Sequence, residues 1–251
     1  MNSATVERLL ALNRRFYTER GIAFSETRLR VQPGVGRILG RLRGNEAVLD
    51  LGCGNGAMAR ELSRKEHTGA YTGLDSSETL VEVARAAEYA LPVRFVVQDL
   101  TALAGWSFDP EGTGDAASAT TPSAKWDVVA AFAVLHHIPS HGMRVDLLSK
   151  IRKHLKPDGV FVHSNWQFAE KARREGRLRP WFDAGFEDSE LERGDYLMDW
   201  RRGGTGLRYV HEFSETELDS LAAETGFAVT ETFRSDGADA KSGLYGIWRP
   251  S

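Results

Sequence analysis

The chain has 251 residues, 41% of them hydrophobic, enough for one large core, and a formal net charge of −3 that speaks against a uniformly basic nucleic-acid binder while leaving room for a local basic patch. Its single cysteine excludes an intrachain disulfide and offers no cysteine metal cluster. The first residues lack a basic segment followed by an apolar run, and no apolar stretch reaches bilayer length, so a cytoplasmic protein without membrane contact is expected.

In chain order, Val6, Leu9, Leu10, Leu12, Asn13 and Phe16 recur at helical spacing and predict a helix over 6–17, with a second near 34–42. Residues 1–44 are expected to form a helical lid over the domain at 45–251. Val48-Leu49-Asp50-Leu51 is an apolar strand that runs into Gly52-Cys53-Gly54-Asn55-Gly56 and then a helix over 57–65. Gly52 and Gly54 permit positive φ and let backbone amides approach a ligand, and the following helix N-terminus faces the same place. Gly52, Gly54 and Ala57 also fit the dinucleotide pattern G-x-G-x-x-G/A, so the glycines alone leave two readings open. Asp50 separates them. A carboxylate directly before the first glycine repels a pyrophosphate but suits a ligand carrying an ammonium and a sulfonium, which is S-adenosylmethionine. Cys53 is read as a small spacer in the loop.

Residues 71–75 predict a second strand whose Asp75 accepts from both ribose hydroxyls, with Ser76 beside it, and 93–97 a third, followed by Asp99 and Leu100 at the adenine. A helix is expected over 77–89. The Gly-, Ala-, Ser- and Thr-rich stretch between 101 and 125 reads as a surface loop. Residues 126–132 form the fourth strand and lead to Ala133, His136 and His137, with His137 lining the cofactor pocket. Adjacent histidines on an extended segment diverge, so no metal site is expected. A helix over 140–155, a fifth strand over 160–165, a helix over 215–225 and a closing hairpin at 227–233 and 244–248 complete a doubly wound, mostly parallel seven-stranded α/β sheet.

The motifs D-L-G-C-G-N-G at 50–56, the acid at Asp75, Q-D at 98–99, W-D-V-V-A-A-F at 126–132, L-H-H at 135–137 and L-K-P-D-G at 155–159 together resemble class I S-adenosylmethionine-dependent methyltransferases. The resemblance implies their Rossmann-like fold, their cofactor and their chemistry.

The remaining stretch, about 166–213, is expected to be a cap that sets specificity. Lys171, Arg173, Arg174, Arg177, Arg179, Arg201, Arg202 and Arg208 crowd it, interleaved with Trp166, Phe168, Trp181, Phe182, Trp200 and Tyr209. Such a mixture serves either an RNA site or a solvated helix face with aromatics packed beneath. Phe24-Ser25-Glu26-Thr27-Arg28, Gly194-Asp195 through Trp200 and Arg208-Tyr209-Val210-His211 are similar to tRNA wobble-uridine carboxymethyl methyltransferases. That likeness implies tRNA as the acceptor, a small activator subunit as a candidate partner, and Arg28, Trp166, Trp200, Arg208, Tyr209 and His211 as substrate-binding residues. A small acidic metabolite could use the same arginines, which keeps a small-molecule O- or N-methyltransferase in view. A non-catalytic cofactor-binding module is the third reading, and the acids at 50, 75 and 99 speak against it.

Overall fold

Apolar strands alternate with amphipathic helices along the computed structural model, which describes residues 1–26, 30–102, 125–201 and 205–251, without the side chains of 22–26. Helices α1 (Ser3–Glu26) and α2 (Pro33–Leu39) come first. Then follow β1 (Val48–Leu51), α3 (Ala57–Arg64), β2 (Tyr71–Asp75), α4 (Glu78–Arg85), β3 (Val93–Val97) and β4 (Trp126–Phe132). Next come α5 (His141–His154), β5 (Leu155–Trp166), α6 (Ala169–Arg174) and the short β6 (Leu178–Arg179). The chain closes with β7 (Asp195–Trp200), β8 (Gly206–His211), α7 (Glu215–Glu224), β9 (Phe227–Ser235) and β10 (Gly243–Pro250).

Among the described residues the main sheet has seven strands in the order β3-β2-β1-β4-β5-β10-β9. β1 through β5 run parallel, and β10 is antiparallel to both β5 and β9. This is the Rossmann-like methyltransferase architecture expected from the sequence. Every residue of β1 is buried, because both faces of the sheet are covered. The strand order reverses between β1 and β4, so the crevice at their carboxyl ends is where an open α/β sheet holds its ligand.

Three local differences from the sequence reading have physical reasons. α1 runs to Glu26 rather than stopping near Tyr17, because Gly21 lies against α4: a Cβ there would sit 3.7 Å from Ser77 Oγ, and packing outweighs glycine's weak helix preference. β5 starts at Leu155, which pairs with Trp126 before the register shifts, so the lead-in 156–159 bulges out of the ladder instead of ending a helix. Within the cap, β6, β7 and β8 form a three-stranded antiparallel sheet. The lid does not float over this cap. Leu9 and Leu12 of α1 share a buried cluster with Trp181, Phe186, Leu197 and Tyr209.

Candidate active site

The turn after β1 divides its glycines between packing and access. Gly52 (φ +72°) lies against Val134, whose Cγ2 would be 2.5 Å from an added Cβ. Gly56 (φ +78°) packs on Tyr89 and Ala84 and does not line the cavity. Gly54 (φ +52°) alone faces open space, which is what a closely approaching ligand needs. The Cys53 thiol is buried, and burial together with Asp50 and Asp75 pushes its pKa well up, so it stays a neutral spacer.

Three acids converge above this turn. Asp50 is buried, and the Tyr71 hydroxyl donates to its Oδ2 at 2.6 Å. Burial, reinforced by the charge of Asp75, raises its pKa to about 7 despite that hydrogen bond. Asp75 accepts from the backbone N–H of Gly54 (2.9 Å) and of Ser77 (2.8 Å), yet burial still holds it above the ordinary carboxylate value. Asp99 Oδ1 accepts from Thr101 N (2.8 Å) and Oγ1 (2.6 Å), while Arg14 Nη1 stands 3.6 Å from Oδ2. Two carboxyls forced up by burial gain most from a cationic ligand, and a phosphate would worsen their position.

A cavity of about 430 Å³ opens here, a size suited to a small-molecule site. Its near wall carries Asp50, Gly52, Cys53, Gly54, Asn55, Asp75, Ser76, Asp99 and Leu100. Ala133 and His137 also line it, so the expected cofactor residues, Gly56 apart, come together on one surface. Ala133 holds a left-handed φ of 59° and donates its N–H to the Ser164 carbonyl, tying the end of β4 to β5.

The far wall adds Tyr17, Asp236 and Tyr245, which the sequence reading did not place at the site, to the expected His137 and Trp166. Tyr17 of α1 places its hydroxyl 2.8 Å from His137 Nε2, and His137 Nδ1 is 3.4 Å from the Tyr209 carbonyl. A neutral imidazole with its proton on Nδ1 fits both contacts, leaving Nε2 as the acceptor. Asn165, Trp166, Asp236 and Tyr245 complete that wall. Tyr245 donates to Asp236 Oδ2 at 2.5 Å, and Gly34 N donates to Oδ1 at 3.0 Å, which anchors the start of α2.

The substrate residues expected from the cap separate. Trp166 is on the cavity wall, and Arg28 lies outside the described residues, as does the stretch 103–124 of the expected loop. Trp200, Arg208, Tyr209 and His211 do not line the cavity and are held in the cap behind its wall. Arg208 is 3% exposed, its guanidinium carbon 4.7 Å from the Trp166 ring, 5.1 Å from Phe16 and 5.4 Å from Trp200, a cation enclosed by aromatic faces. Trp200 meets Phe16 edge-on. Tyr209 donates to Asp195 Oδ1 (2.9 Å) and accepts from Arg144 Nη2 (3.0 Å). His211 bridges Asp195 Oδ1 (2.7 Å) and Glu217 Oε1 (2.9 Å). Burial pulls the His211 pKa down, but those two hydrogen bonds outweigh it and hold the imidazole above its ordinary value.

Much of the basic patch resolves into pairs, although Arg173 is in none of them and Arg202 lies outside the described residues. Lys171 and Arg177 meet Glu175, Arg174 meets Glu170, Arg179 meets Asp183, and Arg201 meets Asp199. Trp181 and Tyr209 are buried, whereas Phe182 is 74% exposed. Among the described residues no group of three His, Cys, Asp or Glu is placed to hold a metal, and no helix is long and apolar enough to cross a membrane.

Residues 24–232 match the family described as Methyltransferase domain. A putative methyltransferase of Encephalitozoon cuniculi is 28% identical over 218 residues, 86% of this chain and 87% of that protein. Trans-aconitate 2-methyltransferase of Azoarcus sp. is 33% identical over 116 residues, 46% of this chain and 37% of its own length. Ubiquinone biosynthesis O-methyltransferase of Coxiella burnetii is 29% identical over 119 residues, 47% and 42% respectively, so the chain spans less than half of either of these two enzymes. Among solved structures, the DhpI-SAM-HEP complex superposes with a TM-score of 0.64 at 22% identity, covering 96% of this chain and 98% of that one. A SAM-dependent methyltransferase from Methanosarcina mazei superposes at 0.60 with 17% identity, covering 88% and 98%. These two share the fold.

Proposed function

The chain belongs to the methyltransferase-domain family, and we propose that it is an enzyme carrying the methyl group of S-adenosylmethionine to a small organic acceptor held between α1, the end of β5 and β10. One observation carries the reading: a single cavity joins the acid-lined glycine turn to a wall bearing the Tyr17–His137 pair. S-adenosylmethionine, when bound, supplies a methyl group activated by its sulfonium. Asp75 is placed to accept from ribose hydroxyls, Asp50 to meet the cationic end, and the backbone at Gly54 to let the ligand approach. His137 Nε2 accepts from the Tyr17 hydroxyl, so a proton leaving a hydroxyl or amine acceptor would be taken by Tyr17 Oη as Tyr17 passes its own proton to the imidazole. A carboxylate acceptor would need no base, and the enzyme's task would then be positioning.

A small acceptor also accords with the relatives, since trans-aconitate and ubiquinone-pathway methyltransferases are named for small molecules. The carboxymethylated wobble uridine of tRNA draws less support. Many of the cap cations that would meet phosphates are engaged by acids, and Trp181, Trp200 and Tyr209 are buried rather than offered for stacking. Incubation with methyl-labelled S-adenosylmethionine, with bulk tRNA in one arm and a low-mass metabolite fraction in the other, is the test. Label is expected in the low-mass arm, and label confined to tRNA overturns the acceptor assignment.

A further inference from the structure

Asn165 ends β5 on the far wall of the cavity, 0% exposed, with its amide Nδ2 3.1 Å from His163 Nδ1. Its Oδ1 has no hydrogen-bond partner among the described residues. A buried carbonyl left unpaired is costly, and at the wall of a ligand-sized cavity it is explained by a donor that arrives with the ligand. His163 fixes the orientation of the amide. Burial keeps this imidazole neutral, so Nδ1 can accept from Asn165 with the ring proton on Nε2, which lies against Gly246, and the ring packs edge-to-face with Trp248 at 4.5 Å between centroids. With its amide nitrogen engaged by His163, Asn165 keeps an unpaired acceptor, not a donor, at the wall of the cavity. The walls around it are aromatic: Trp166, Phe132 and Tyr245 line the same space, and Tyr17 and His137 close it from α1 and the end of β4. Flat, weakly hydrated molecules suit such walls.

Resting on the small-acceptor reading above, we infer that Asn165 is the specificity residue of this enzyme: its Oδ1 receives an N–H or O–H from a planar aromatic acceptor that carries this donor next to the atom to be methylated. His163 acts through Asn165 as a positioning residue. A site built to hydrogen-bond one group discriminates strongly against analogues lacking it, because the unpaired carbonyl then stays buried.

The test uses matched probes that keep the nucleophile and replace the neighbouring donor by a methoxy group: catechol against guaiacol, and 2-aminophenol against 2-methoxyaniline. Each is titrated by calorimetry into the full chain saturated with S-adenosylhomocysteine, and label transfer from methyl-labelled S-adenosylmethionine is then measured. The donor-bearing member of each pair is expected to bind about 10- to 100-fold more tightly. Asn165→Leu should erase that ratio, whereas Asn165→Asp, which keeps an acceptor oxygen, should preserve it. S-adenosylmethionine affinity and thermal unfolding of the variants show whether they are folded, Asn165→Ala takes the place of the Leu variant if that one is not, and a ratio that persists in the folded apolar variant overturns the inference. Equal binding within each pair, a preference for the methoxy members, or no binding of any probe overturns the inference. Failure of S-adenosylmethionine itself to bind would instead overturn the reading on which it rests.

Discussion

Around the glycine turn, Asp50, Asp75 and Asp99 gather at the ends of β1, at β2 and past β3, and the cation nearest to them is Arg14, at 3.6 Å from Asp99. Under the cap, Arg144 reaches Glu192 (3.3 Å), Glu217 (3.4 Å) and Asp195 (3.7 Å), and His211 joins Asp195 to Glu217, so each of these acids has a cationic partner within the protein. The first cluster instead turns its acids toward a cavity. Acids paired within the protein serve the fold, and acids left facing a cavity await a ligand.

The largest expected effect lies in the cap. Arg144→Met leaves buried Asp195 with His211 as its one remaining cationic partner among the described residues and should cost about 3 kcal/mol of stability in urea unfolding, the low end for a broken buried pair because His211 stays and Glu192 and Glu217 are partly solvated. Cofactor affinity of the folded fraction should change by less than about twofold. An affinity loss as large as the stability loss would erase the distinction between the two clusters.

Asp75→Ala should do the reverse. Losing the acceptor of the ribose hydroxyls is expected to weaken S-adenosylmethionine binding about 100-fold by calorimetry, while the stability of the free protein falls by less than about 1 kcal/mol, since burial already penalises this carboxylate. Equal affinity for both proteins would remove Asp75 from the site.

The smallest effect should come from the cap surface. Lys171→Ala combined with Arg174→Ala breaks two exposed pairs and should change stability by less than about 0.5 kcal/mol, with label transfer to the acceptor unaltered. A tenfold drop in turnover would restore the cap surface to acceptor binding.

The same comparison explains what was legible in the sequence. The cofactor half is written locally: each acid closes an apolar strand, and the glycines that shape the turn are its immediate neighbours, so strand period and spacing suffice to place them. The cap is written at long range. Arg208, Tyr209 and His211 look in the sequence like ligands for an anion, yet Arg208 is enclosed by rings from Phe16 and Trp166, and Tyr209 and His211 are bonded to Asp195. Residue type and spacing do not tell a partner within the protein from one outside it. The acceptor wall is harder still to read, because Tyr17 meets His137 across 120 positions and Asp236 meets Gly34 across 202. One signal was present: Asn13 interrupts the apolar face of α1, and its side chain both donates to and accepts from the backbone of Tyr209, pinning that helix beside the site.

Asp50 concentrates the account's central claim, that an uncompensated acid selects a cationic donor over a phosphate-bearing one. With its pKa raised to about 7, the free protein binds a proton that the unfolded chain has already lost, so this group's contribution to stability falls as pH rises from about 4 through 7. A cation binds the ionised form and reverses that penalty. Calorimetric titration of S-adenosylmethionine and NAD at pH 6 and pH 8 is the direct measurement: the sulfonium ligand should bind about 10-fold more tightly at the higher pH, and NAD should not bind at either. NAD binding together with pH-independent affinity for S-adenosylmethionine would contradict it.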